Sequence, residues 1–158
     1  MTAGAAAGTS CASGSGTGTF TPPLPDLTSK TKVKDVLTVK GSFAGCSGAV
    51  KSATITGASP ARTGSNCLSI ATPTKTPTKV TLTVTWNAGA ASTVAAQLTE
   101  IPKTPVTTQL ISGSVTKGQF AGEKLSGKFT YSLPKGACSK GHPLSTVPYK
   151  DVGALVIK

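Results

Sequence analysis

Lys79-Val80-Thr81-Leu82-Thr83-Val84-Thr85-Trp86-Asn87 is the stretch that decides the fold class of this chain. Val80, Leu82, Val84 and Trp86 fall on one side of an extended backbone, and Lys79, Thr81, Thr83 and Thr85 on the other. That period of two marks a strand with one face in a core and one in water. Trp86 shares the apolar side and reads as core. Residues 31–40 repeat the pattern: Val33, Asp35, Leu37 and Val39 oppose Lys32, Lys34, Thr38 and Lys40. Leu125, Phe129, Tyr131 and Leu133 form a third inward set against Lys124, Ser126, Lys128 and Thr130.

Further strands are expected at 49–57, 93–99, 106–115 and 151–157, separated by breakers at Gly57–Pro60, Pro73–Pro77, Pro102–Pro105 and Pro134–Gly141. Ala88–Ile101 is alanine-rich and compatible with a short helix. However, Val94, Ala96 and Leu98 alternate after the turn signal Asn87–Gly89, so a hairpin is expected. The resulting expectation is an all-β fold, an antiparallel β-sandwich of Ig-like or Greek-key type with about 7–9 strands, preferred over a closed barrel. Residues 1–29, rich in Gly, Ser, Thr and then Pro, read as an extended segment packing on the domain, with an edge strand near Gly18–Thr21. Residues 30–158 read as one β-sandwich domain.

The composition agrees. A chain of 158 residues is of single-domain size and buries roughly 68–70% of its unfolded surface, enough for a core without a metal. Charged residues make up only 13%, and Thr and Val favour strands. Cys11, Cys46, Cys67 and Cys138 are far apart, with no Cys-x-x-Cys pair, and the single histidine is His142, so a zinc site has no close ligand pair. Two disulfides in an oxidising compartment fit better, with buried thiols as the alternative. Three pairings are open. Cys46–Cys67, closing a short glycine-rich excursion, with Cys11–Cys138, tying down the N-terminal segment, is the expected one.

No run approaches the length of a membrane span. Met1–Ala7 lacks the basic start and the apolar length of a signal peptide, which reads as a mature exported form with an added initiator Met.

All four phenylalanines occur as Gly-x-Phe, and Lys40-Gly41-Ser42-Phe43-Ala44-Gly45 is echoed by Lys117-Gly118-Gln119-Phe120-Ala121-Gly122. The expected meaning is a glycine-permitted bend or bulge anchored by Phe; a shared binding loop is the bolder alternative.

Catalytic signatures are absent. No Gly-x-Ser-x-Gly occurs, and a Ser hydrolase would depend on His142, a loop residue beside Cys138. A glycosidase needs a carboxylate pair, and the chain has only Asp26, Asp35, Glu100, Glu123 and Asp151. Asp35 is expected at a strand end or paired with a lysine. Gly14-Ser15-Gly16-Thr17-Gly18 lacks the strand-to-helix setting of a phosphate loop. No cofactor is expected.

Charge is the strong surface signal. Sixteen basic residues against five acidic give +11, and fifteen of the sixteen are Lys, with Arg62 the exception. Such a surface draws polyanions, and Lys30, Lys32, Lys34, Lys124 and Lys128 are the candidate contacts. Dispersed Lys and few free aromatics argue against specific nucleic-acid recognition. Tyr149 is the aromatic expected to be freest.

Gly16-Thr17-Gly18-Thr19-Phe20-Thr21-Pro22-Pro23-Leu24, Gly41-Ser42-Phe43-Ala44-Gly45-Cys46-Ser47-Gly48, Asn66-Cys67-Leu68, Phe120-Ala121-Gly122 and Gly127-Lys128-Phe129 resemble a group of small secreted Thr/Gly-rich actinobacterial proteins of unknown function. The resemblance implies an exported β-sandwich and favours Cys46–Cys67; the lysine content departs from it. The expected function is a secreted, non-catalytic structural or interaction module at the cell envelope, partnered by an anionic envelope polymer or another protein. The alternatives are a lysine-rich binder of wall polymer, acidic polysaccharide or nucleic acid, a virion decoration module, and a hydrolase using His142.

Overall fold

The computed structural model describes residues 8–48, 50–65, 67, 78–101, 107–131 and 135–158. Pro73–Pro77, Pro102–Pro105 and Leu133, read above as breakers and an inward position, lie outside them. Ten strands follow in chain order: β1 (Thr9–Leu24), β2 (Val33–Cys46), β3 (Ser52–Ala58), β4 (Arg62–Ser65), β5 (Thr78–Trp86), β6 (Ala91–Ile101), β7 (Thr107–Gly118), β8 (Lys124–Tyr131), β9 (Leu144–Asp151) and β10 (Leu155–Ile157). The Lys79–Asn87 stretch forms β5 with the predicted faces: Val80, Leu82, Val84 and Trp86 are buried, Thr81, Thr83 and Thr85 exposed. Ala88–Ile101 continues as the expected hairpin, with Gly89 at φ 91° and its N–H donating to the Trp86 carbonyl at 2.8 Å.

The sheet is a closed eight-stave barrel and not a sandwich. Its paired order is β1, β9, β8, β7, β6, β5, β3, β2, and β2 pairs back with β1 over ten residue pairs. Every neighbour is antiparallel, so apart from the short β4 the chain runs up and down without Greek-key crossings. One circuit of partners makes the closure visible. It leaves β7 at Thr107, passes Tyr131, Tyr149, Gly16, Gly41, Ile55, Val84 and Ser92, and returns to β7 at Gly118. The return is eleven residues further along, one of them taken up by the bulge between Thr93 and Val94. This stagger is what tilts the strands of a barrel. A sandwich and a barrel share period-two strands, so the period alone could not separate them.

Three further expectations change. Thr9–Leu24 is neither a lead-in nor an edge strand; it pairs with β2 on one side and with β9 and β10 on the other, and closes the barrel. The strand expected at 151–157 is two pieces, β9 and β10, which fill one stave between β1 and β8 with a break at residues 152–154. The disulfides are Cys11–Cys46 and Cys67–Cys138. Cys11 and Cys46 are direct partners across the β1–β2 closure, so neither is placed to reach the other two.

Gly-x-Phe also means something else. Phe20, Phe43 and Phe129 lie inside strands, where Gly and Phe two residues apart share the inward face. The glycines make room there. A Cβ on Gly16 or Gly41 would lie 2.4 or 2.2 Å from the Tyr149 hydroxyl, and one on Gly14 would lie 2.3 Å from the Phe43 ring. Small residues opposite large ones fill a barrel of this size. Only Phe120 sits in a turn, at φ 65°, and it packs edge-on against Trp86 at 5.3 Å.

The inner face is apolar and the outer face carries Thr, Ser and Lys, the reverse of a barrel that sits in lipid. No helix of the described residues is long and apolar enough to cross a membrane.

Candidate functional site

The barrel has two unlike ends, and the charged groups follow from them. At one end β2–β3, β5–β6 and β7–β8 are joined by hairpins of four or five residues. Trp86 closes the interior there: its indole N–H donates to the Ser92 hydroxyl at 2.9 Å, which donates to the Gln119 carbonyl. Cys11–Cys46 lies at this tight end.

At the other end β6–β7 is again joined by five residues, but the β1–β2 and β8–β9 connections are longer, at eight and twelve. Segment 25–28, Cys67 and turn 136–142 are tied together across it. Cys67 bonds to Cys138, its N–H donates to the Pro25 carbonyl at 2.8 Å, and the Leu27 N–H donates to the Cys138 carbonyl at 2.9 Å. The Asp26 carboxylate accepts from the Thr28 hydroxyl at 2.6 Å, the Thr28 N–H at 2.8 Å and the Gly141 N–H at 2.7 Å. The Thr28 hydroxyl first, then the Gly141 N–H, hold Asp26 below the ordinary carboxylate value.

Asp35 is the buried acid of this loop end. Its partner is Arg62 and not a lysine: the Arg62 Nη2 donates to Asp35 Oδ2 at 2.6 Å, with the Asp35 side chain fully buried and that of Arg62 one-quarter exposed. The guanidinium carbon lies 5.5 Å from the centre of the Phe20 ring, a cation–π distance. Asp35 Oδ1 and Arg62 Nε are buried without a hydrogen-bond partner. The pair therefore makes one of the two bonds a carboxylate and a guanidinium can share. Its local effect is to lock β4 onto the start of β2, where Asp35 and Arg62 are register partners. The only arginine is thus spent inside the scaffold.

His142 contacts its own turn, with Nδ1 3.2 Å from the Ser139 hydroxyl and 3.0 Å from the Lys140 carbonyl. The Ser139 hydroxyl itself donates to the Gly136 carbonyl. Among the described residues no carboxylate is hydrogen-bonded to the His142 ring. The described residues also contain no group of three His, Cys, Asp or Glu able to hold a metal.

Tyr149 is inward and largely buried, not free. Its hydroxyl donates to the Lys40 carbonyl at 3.3 Å and its ring lies 5.3 Å from Phe129. Burial first, then the charge of Asp151, push the phenol up to about 12. Asp151 faces the same way, with Oδ2 buried and unpartnered, and burial raises it to about 6.

The five predicted lysine contacts are all exposed, but they fall into two groups. Lys30, Lys32 and Lys34 precede or open β2 at the loop end. Lys124 and Lys128 lie on β8, with β9 and β1 between them and β2. Sequence reading missed their real neighbours. Lys150 on β9 is opposite Thr130, which makes it diagonal to Lys128. Lys158 exchanges two backbone hydrogen bonds with Lys124, each 2.9 Å. Its alternation was legible, but which strands adjoin was not.

By contrast, the outer faces of β3 and β6 carry no charge among the described side chains, and that of β5 carries only Lys79. Thr56, Thr83 and Thr93 form one cross-strand row, and Thr54 pairs with Thr85.

No family model, curated protein or solved structure matches this chain.

Proposed function

We propose that the protein is an exported, non-catalytic interaction module working at the cell envelope. The observation that carries the reading is the pair of disulfides, one at each end of the barrel, since such bonds persist in oxidising compartments. The commitment of Asp26, Asp35 and Arg62 to the scaffold supports interaction over chemistry, and the resemblance to small secreted actinobacterial proteins runs the same way. Co-sedimentation of the oxidised protein with purified envelope material tests it. The protein should pellet with the envelope, and should fail to do so after reduction and unfolding. Retention in the supernatant under all conditions contradicts it.

A second reading, binding of anionic polymers, is favoured by one observation. The lysines of β8, β9 and the residue after β10 converge on one stretch of wall, while among the described side chains the outer face of β3, β5 and β6 carries only Lys79. Binding that weakens steeply between low and moderate salt supports it; salt-independent binding contradicts it.

A further inference from the structure

We infer that the seam where β8 meets β9 and β10 is the contact surface for a linear phosphate polymer, an inference that rests on the anionic-polymer reading. The seam presents two lysine pairs. Lys124 and Lys158 are directly opposed by their reciprocal backbone hydrogen bonds, and Lys128 and Lys150 are diagonal neighbours. Lys124 and Lys128 are four positions apart along β8, roughly 13 Å at strand rise. Lys117, at the end of β7, extends the set towards the tight end.

Like charges directly opposed across strands destabilise a sheet. With 158 residues, and only Lys79 among the described outer side chains of β3, β5 and β6, the fold does not require these cations to adjoin. Nor are they neutralised. Among the described residues the one ion pair is Arg62–Asp35, at the opposite end. Lys124 Nζ donates to the Ser114 hydroxyl at 2.9 Å, Asp151 points into the barrel, and among the described side chains of β8, β9 and the β7–β8 turn the other carboxylate is Glu123. The seam is therefore an unanswered positive strip.

Its chemistry selects the partner. Ammonium groups meet phosphate as point charges and need no fixed fork geometry. Phe129 and Tyr149, the aromatics of β8 and β9 nearest the strip, turn inward, so no ring is offered to a base. The structure thus points to a phosphate chain read by charge and spacing, without nucleobases.

Fluorescence anisotropy with labelled inorganic polyphosphate tests this on the oxidised full chain. Four phosphate contacts give a salt slope near 3, so affinity should fall roughly fifty-fold between 50 and 200 mM salt. Lys128→Gln/Lys150→Gln should halve that slope and weaken binding at 50 mM at least ten-fold. Lys30→Gln/Lys32→Gln/Lys34→Gln removes more charge, yet should change affinity less than two-fold. The thermal midpoint of Lys124→Gln should hold or rise, since relief of like-charge crowding favours the fold. Equal losses in the two sets of variants would overturn the seam assignment while leaving the anionic-polymer reading in place. No binding by the wild type at 50 mM would overturn both, and ten-fold tighter binding of single-stranded DNA would overturn the base-free assignment.

Discussion

At the tight end of the barrel, short hairpins are sealed by Trp86, Phe120 and a hydroxyl relay through Ser92. At the loop end, longer connections are held by a disulfide, an Asp26 bracket and a buried ion pair with two unsatisfied atoms. The difference is physical. Short turns leave most of the closing work to apolar packing, with Cys11–Cys46 adding one tie between β1 and β2. Long connections must be ordered against their own entropy, and covalent or ionic ties do so.

Several substitutions would break or sharpen this contrast, each read by denaturant unfolding without reductant. Trp86→Ala at the tight end should cost the most, about 5 kcal/mol, because it opens a cavity and removes the indole donor to the buried Ser92 oxygen. A loss of about 0.5 kcal/mol or less, the size of a surface change, would mean the tight end is not sealed by packing.

Replacing Cys67 and Cys138 by Ser should cost about 4 kcal/mol by loop-closure entropy. The Cys11–Cys46 replacement should cost less by about 0.6 kcal/mol, since its bridge spans 35 residues and not 71. A reversed order would place the tighter constraint at the wrong end.

Arg62→Leu should cost about 3 kcal/mol by leaving the buried Asp35 carboxylate unpaired, while Asp35→Leu/Arg62→Leu should be close to neutral. Equal losses for the single and double variants would show that β4 is held by something other than this pair.

The smallest effect concerns Asp151, on the β9 stave. Its folded value, pushed up to about 6 by burial, lies above the ordinary carboxylate value, so the folded state binds the extra proton between about pH 4 and 6. Stability should therefore fall as pH rises through that window. Asp151→Asn should flatten the fall and gain about 1 kcal/mol at pH 7, a figure reduced for the solvent that reaches this half-buried group. An unchanged pH profile in the variant would remove Asp151 as its source.

The strands that announce themselves, β5, β8 and the first half of β2, carry large apolar residues at alternate positions, so their faces were readable. The middle of β1 was not, because its inward positions there are Gly14, Gly16 and Gly18. Their role is to leave space for Phe43, Tyr149 and Leu37 on other staves, and it appears only once those staves are in place. The same holds for the disulfides. Cys11 meets Cys46 because β1 is the neighbour of β2, a fact of closure that spacing along the chain does not encode. The candidate surface was half legible for the same reason. Outward lysines on β8 could be predicted, whereas their pairing with Lys150 and Lys158 depends on which stave lies next to β8. Asp35 was recognised as inward, but its partner sits on β4, four residues with no pattern of their own.

Peptide mapping of the oxidised protein under non-reducing conditions tests the closed barrel most directly, because Cys11–Cys46 spans the β1–β2 pairing that closes it. The fold predicts linked peptides Cys11–Cys46 and Cys67–Cys138, with a mass about 4 Da below that of the reduced chain for two bonds. Cys46–Cys67 with Cys11–Cys138, or four free thiols, would contradict it.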